Sequence, residues 1–158
     1  MPCGCRGRAL AGRLAGAGHA VRGTTRDPAR AADIAAAGAE PYLGDPDRIG
    51  TLMDALAGVT VACWLMGTVP VAELHAGRLR MLLEKLVDTP VRGFVYEGAL
   101  PEGEKVARRA SQTWRIPLEV VRTDPLDHPR WTAEAAAAVA RVLDGRAMAS
   151  GRLTPPSA

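Results

Sequence analysis

Hydrophobic and polar positions along the chain keep two rhythms, and glycine or proline marks nearly every change between them. Residues 8–17 are small and apolar at helical spacing, followed by Gly18, where glycine commonly closes a helix. Residues 19–25 (HAVRGTT) form a short extended run. Asp27-Pro28 then opens a helix over 29–37, stopped at Gly38, by the pairing of a capping side chain with a proline in the first turn. A strand over 39–43 closes at Gly44-Asp45-Pro46, and Ile49, Leu52, Met53 and Leu56 give a helix over 47–57. The unbroken apolar run 59–66 suits a strand buried on both faces, interrupted by Gly67-Thr68. Leu74, Leu79, Leu82, Leu83 and Leu86 line one face of a helix over 71–87, with Pro90 beyond its end. A strand over 91–96, a turn at Glu97-Gly98, a helix over 102–114, a strand over 118–122 and a helix over 130–143 ending at Gly145 complete the pattern. Residues 146–158, with Gly, Ser and paired Pro, read as a disordered tail.

The order is a helix, then strand and helix five times over. Strict alternation predicts an α/β fold: one doubly wound parallel sheet of Rossmann type spanning 1–145, with helices on both faces. Such a sheet starts with a central strand that runs into its first glycine turn. Only Met1, Pro2 and Cys3 precede Gly4. The expectation is therefore a sheet whose first strand is largely missing, either lost or encoded upstream of Met1. The strands that would flank it are left with hydrogen-bonding groups that are costly to bury unpaired.

Composition narrows the class. A chain of 158 residues buries enough surface to fold without disulfides. Only 4% of residues are aromatic, so the core must be aliphatic. Three cysteines, Cys3, Cys5 and Cys63, lack the spacing of a disulfide framework or a zinc site. No apolar run is long enough to span a bilayer, and no secretory leader is visible. The expectation is a cytoplasmic protein with no membrane partner. The net charge of +3 is spread with acids interspersed, so nucleic acid is not expected as a partner.

The candidate chemistry begins at Gly4-Cys5-Arg6-Gly7. Gly4 and Gly7 match the second and third glycines of the G-x-G-x-x-G fingerprint, with Pro2 at the first. One glycine lets backbone approach a pyrophosphate, the other permits close helix packing, and the following helix aims free amides and a positive dipole at the phosphates. The fingerprint expects an acid about 20 residues on, to hold the ribose hydroxyl. This chain has Thr24, Thr25 and Arg26 there instead. A guanidinium suits a 2′-phosphate, so the expected cofactor is NADP, with NAD as the alternative. Asp27 reads more simply as a helix cap. Asp45 is a candidate for the adenine amino group or else a turn residue, and Leu65, Met66 and Gly67 close a strand where a cofactor would lie.

With these residues on view, the sequence resembles the extended and atypical short-chain dehydrogenase/reductases, in particular epimerase/dehydratase-like and NmrA-like proteins. The resemblance rests on residues 3–7, 21–28 (VRGTTRDP), 43–47 (LGDPD), 59–67, 94–96 and 114–122. It implies a dinucleotide-binding protein with oxidoreductase or epimerase-like activity, or a non-catalytic redox sensor of the NmrA-like kind. It does not supply catalytic residues. The family's Tyr-x-x-x-Lys pair is absent: Tyr42 is followed four residues on by Pro46, and Tyr96 by Leu100. Tyr96, Glu97 and Lys105 form an alternative acid/base set, weighed against a turn carboxylate and a surface lysine. Trp64 and Trp114 read as packing residues, and Arg78 and Arg80 as solvated ones. Neither substrate nor oligomeric state is legible.

Overall fold

The computed structural model describes residues 3–98 and 100–150. Helix α1 (Cys5–Gly16) leads to β1 (Arg22–Thr25). A 3-10 turn (Pro28–Arg30) and α2 (Ala31–Ala36) lead to β2 (Glu40–Leu43). Two more 3-10 turns (Ile49–Leu52 and Asp54–Leu56) lead to β3 (Val61–Trp64). Then come α3 (Ala72–His75), α4 (Gly77–Leu86), β4 (Gly93–Glu97), α5 (Pro101–Trp114), β5 (Leu118–Val121) and α6 (His128–Ser150). Asp27 caps as its position indicates, its carboxylate accepting from the Ala29 amide at 3.0 Å. Gly18 and Gly38 take positive φ values of 87° and 80° just beyond α1 and α2, a conformation that only glycine adopts at no steric cost.

All strand pairs are parallel, and the sheet is split. β1 pairs with β2, and β4 lies between β3 and β5; among the described residues no strand joins β1 to β3. The Val21 and Thr25 carbonyls accept from the Glu40 and Gly44 amides on the β2 side, at 2.8 and 2.9 Å. Thr24, between them, faces the other way and accepts from the Cys3 amide at 3.0 Å. The parallel α/β architecture expected from the alternation is present, with a gap between β1 and β3 among the described residues.

Two apolar cores cover the two faces. Alternate residues of β4 point to opposite sides, as the strand period requires. Phe94 and Tyr96 join Leu79, Leu82, Leu83 and Leu86 of α4 with Val106, Ala107 and Ala110 of α5. Val95 joins Leu10 and Leu14 of α1, Ile34 of α2, and Trp131, Ala135, Ala138 and Val142 of α6.

Several elements depart from the sequence pattern. Residues 47–57 form 3-10 turns instead of an α-helix, with Gly50 in the first; Ile49 and Leu52 are still buried. The helix expected over 71–87 breaks at Ala76 (φ −116°, ψ −87°). The break lets the His75 ring turn inward, fixed by the Tyr96 hydroxyl at 2.9 Å and the Val69 carbonyl at 3.0 Å. β3 is not buried on both faces: Val61 and Cys63 are only half-buried, because this strand borders the gap. Glu97 is the buried last residue of β4, not part of a turn. Arg78 is half-buried rather than solvated. Helix α6 passes Gly145 and reaches Ser150, and most of the expected tail, residues 151–158, lies outside the described residues.

Candidate functional site

α1 begins three residues earlier than its apolar pattern indicates, inside the glycine loop. Gly4 is the N-cap with extended backbone (φ −66°, ψ −172°), and no side chain caps the helix. The first intrahelical bond runs from the Arg8 amide to the Gly4 carbonyl at 2.9 Å, so the Cys5, Arg6 and Gly7 amides lie ahead of it. The first turn contains no acid to neutralise the positive end of the helix dipole. A Cβ on Gly4 would meet nothing within 4 Å, so the space in front of this helix end is open. Gly7 is buried, which gives it the packing role expected of the third glycine. Pro2 lies outside the described residues.

This helix end opens on a cavity of about 1400 Å³. Gly4, Cys5, Arg6, Gly7, Thr24, Thr25, Arg26, Leu65 and Met66 all line it, so most of the expected site residues converge from three separate segments. Asp45 and Gly67 do not. Asp45 takes the turn role: its carboxylate accepts from the Asp47 amide at 3.0 Å, and its amide donates to the Thr51 hydroxyl at 2.8 Å. Gly67 donates its amide to Glu97 at 2.6 Å. The Thr25 hydroxyl is partly engaged in its own turn, accepting from the Asp27 amide at 3.1 Å. Arg26 is exposed, and its nearest carboxylate oxygen, on Asp47, is 3.9 Å away. An ion pair so loose and exposed holds the guanidinium weakly, which leaves it able to turn to an anionic ligand.

The pattern missed one constellation altogether. Glu97 is buried at the carboxyl end of β4 and accepts from Arg6 at 2.6 Å, from the Trp131 indole N–H at 2.8 Å and from the Gly67 amide at 2.6 Å. Arg6 also reaches the Thr68 hydroxyl at 3.1 Å and lies over the Trp131 ring, 4.8 Å from its centroid. This carboxylate therefore ties the glycine loop to the loop after β3, the two walls of the cavity mouth. It turns the Arg6 side chain inward, so Arg6 offers the cavity its backbone amide. A Cβ on Gly67 would sit 2.4 Å from the Glu97 carboxyl carbon, which is why this position must be glycine. Arg6 and Glu97 are 91 residues apart, and no local spacing links them.

Tyr96, Glu97 and Lys105 do not assemble as an acid/base set. Tyr96 is fully buried and donates to His75 Nδ1, since Nε2 must keep its proton to donate to the Val69 carbonyl. Lys105 lies exposed beside Glu102 at 3.7 Å. Burial pushes the Cys3 thiol up and raises that of Cys63 to about 11, whereas Cys5 is exposed beside Arg8, 3.6 Å from its guanidinium. Trp64 is buried in the core, and Trp114 packs against it. No helix among the described residues is long and apolar enough to cross a membrane.

No protein family matches the sequence, and no curated protein matches it. Solved structures do match the fold. The NADP(H) complex of triphenylmethane reductase from Citrobacter sp. superimposes with a TM-score of 0.62 at 21% identity, over 75% of this chain and 46% of the reductase. The NADPH complex of an NADPH-dependent quinone oxidoreductase from Escherichia coli superimposes with a TM-score of 0.60 at 18% identity, over 75% of this chain and 45% of that one. The chain thus spans just under half the length of these proteins. At such identities the likeness establishes the Rossmann-like fold.

Proposed function

We propose that this chain is an NADP(H)-preferring dinucleotide-binding protein built around the unit 1–145, of the oxidoreductase type found among atypical short-chain dehydrogenase/reductases. The observation that carries this reading is the uncapped amino end of α1 opening, together with Arg26, onto one cavity that runs along β1 and β3 and reaches their carboxyl ends. The first-turn amides would receive the pyrophosphate. Arg26, with Thr24 beside it, would receive the 2′-phosphate that distinguishes NADP from NAD. Leu65 and Met66 would lie along the bound cofactor. The proteins that share the fold are named for NADP(H) complexes, and a cytoplasmic setting suits three cysteines that are all free thiols.

The test is titration of the protein with NADPH and NADH, followed by nicotinamide fluorescence. NADPH should bind at least tenfold more tightly. Arg26→Ala should remove about 1.5 kcal/mol, the low end for a charge-assisted bond because the side chain is exposed, and bring the two cofactors together. Equal affinities in the parent protein would sink the NADP assignment, and no binding of either would sink the whole reading.

A second reading, dinucleotide binding without turnover, is favoured by the burial of Tyr96 and Glu97, whose polar atoms are already committed. NADPH oxidation assayed against quinones and triphenylmethane dyes separates the two. Turnover above the rate without protein supports an enzyme; tight binding with no turnover supports a sensor.

A further inference from the structure

We propose that His128 is the proton donor for reduction of a quinone at this site, with the Thr68 hydroxyl holding the quinone oxygen. Resting on the dinucleotide reading above, the role falls to His128 because Tyr96 and Glu97 are buried with their polar atoms committed. Histidine is the side chain that gains and loses a proton near neutral pH, and two histidines line the cavity, His19 and His128. His19 precedes β1, at the amino edge of the sheet. His128 follows β5 and is the first residue of α6, at the carboxyl edge. It is exposed, and among the described residues nothing hydrogen-bonds its ring. Two carboxylates also line the cavity, but Asp27 caps the turn at Pro28–Arg30 and Glu40 is held by Arg22 at 2.9 Å.

The pyrophosphate is the middle of a dinucleotide. With it at the start of α1 and the adenosine half at Arg26, on the β1 side, the nicotinamide half extends the other way, over the ends of β3 and β4. Thr68 and His128 meet there through Arg6. The Arg6 guanidinium donates to the Thr68 hydroxyl at 3.1 Å and lies 4.8 Å from the centroid of the Trp131 ring. Trp131 follows His128 by three residues, so the two share one face of α6. Asp127 fixes that turn: its carboxylate accepts from the Arg130 amide at 3.1 Å and its carbonyl from the Trp131 amide at 2.8 Å. The exposed Thr68 hydroxyl accepts from Arg6 and keeps its own hydrogen to donate to a substrate oxygen. The bound cofactor supplies the hydride. Hydride bonds to one carbonyl oxygen of the quinone, and the displaced electron pair shifts through the ring to the other oxygen. That oxygen takes the proton from the protonated His128 ring as an N–H bond breaks and an O–H bond forms. The product is the hydroquinone, and solvent returns a proton to the imidazole.

The test has a binding arm and a rate arm. The imidazole Cε1–H resonances of His19 and His128 are assigned by their loss in His19→Gln and His128→Gln. Oxidised NADP should move the His128 resonance, whereas adenosine 2′,5′-bisphosphate, which lacks the nicotinamide half, should leave it in place. Failure of NADP to bind at all would sink the dinucleotide reading; binding that leaves His128 unmoved would overturn the proton-donor role alone. In the rate arm, NADPH oxidation is followed with a naphthoquinone and with a cationic triphenylmethane dye, whose central carbon takes a hydride and needs no proton. His128→Gln should lower the ratio of quinone to dye reduction about a hundredfold, the contribution of a general acid. Thr68→Val should lower the same ratio, and Thr68→Ser, which keeps the hydroxyl, should recover it. An unchanged ratio in His128→Gln overturns the proposal, as does a parent protein that binds NADPH and leaves the quinone unreduced.

Discussion

Glu97 shows how far a residue's role depends on partners that are distant in sequence. At the end of an apolar strand it reads as a turn carboxylate, yet it is a buried acceptor for Arg6, Trp131 and the Gly67 amide. Removing its charge should be expensive. Glu97→Gln keeps the shape but leaves the Arg6 guanidinium, 12% exposed, without its counter-charge. Breaking a buried pair in this way costs about 3 kcal/mol, to be read as a lower urea midpoint with Trp131 fluorescence shifted to the red. A change within about 0.5 kcal/mol would mean that the pair is only a surface contact. The thiols give a second prediction. The thiolate is the reacting form, and at pH 8 a thiol with a pKa of about 11 is ionised in on the order of one molecule in a thousand. Iodoacetamide should therefore label Cys5 first and Cys63 far more slowly, with Cys63 labelling accelerating as the pH rises toward 11. NADPH should protect Cys5, because Cys5 sits in the first turn of α1. Equal labelling of Cys5 with and without NADPH would place the cofactor elsewhere. Gly4, Gly7 and Arg26, which the sequence singled out and which line one cavity, are residues whose chemistry is expressed by their own backbone or by a short spacing. Glu97 takes its role from tertiary partners far away in sequence, whereas Asp45 takes the turn role, one of the two its position offered, from the nearby Asp47 and Thr51.

At the scale of elements, the strand and helix order was legible because each element carries its period and its stop signal within a few residues. The breaks were not. A helix over 71–87 satisfies the leucine spacing, but the spacing contains nothing about His75, whose two ring bonds are made to residues in the loop before it and in β4. Two glycines in these elements should respond differently to substitution. At Gly93 in β4 a new Cβ would overlap a methyl of Val142 on α6, a buried side chain with nowhere to go. At Gly77, the first residue of α4, it would meet the carboxylate end of Glu73, an exposed and flexible side chain. Gly93→Ala should therefore lose about 1–3 kcal/mol by overpacking, whereas Gly77→Ala should change stability little, since Glu73 can swing away. Thermal unfolding distinguishes them. Equal melting temperatures for the two variants would show that α6 is free to move off β4.

Over the whole molecule, the split sheet makes cooperativity the open issue. A two-stranded parallel ladder is marginal alone, so β1 and β2 depend on contacts outside the sheet. Those contacts are α1 packed on α6, the Glu97 junction, and Arg22, which donates to the Ala55 and Ala57 carbonyls across the gap. β4, by contrast, lies between two strands and is buried along its whole length. Native-state hydrogen exchange should therefore resolve two levels of opening. The Gly44 and Glu40 amides, bonded to β1 and the residue before it, should open at lower free energy and with a smaller denaturant dependence than the Gly98 and Phe94 amides, bonded to β5 and the residue before it. A cofactor that touches Gly4 to Gly7 and Thr24 to Arg26 on one side and Leu65 and Met66 on the other would bind only when both halves are in place. Its binding free energy is then added to the weaker opening first, so saturating NADPH should slow exchange at Glu40 and Gly44 more than at Phe94. If all four amides instead exchange through one global event, with and without NADPH, the two halves form a single cooperative unit, and the gap in the sheet is fully compensated by the helices packed across it.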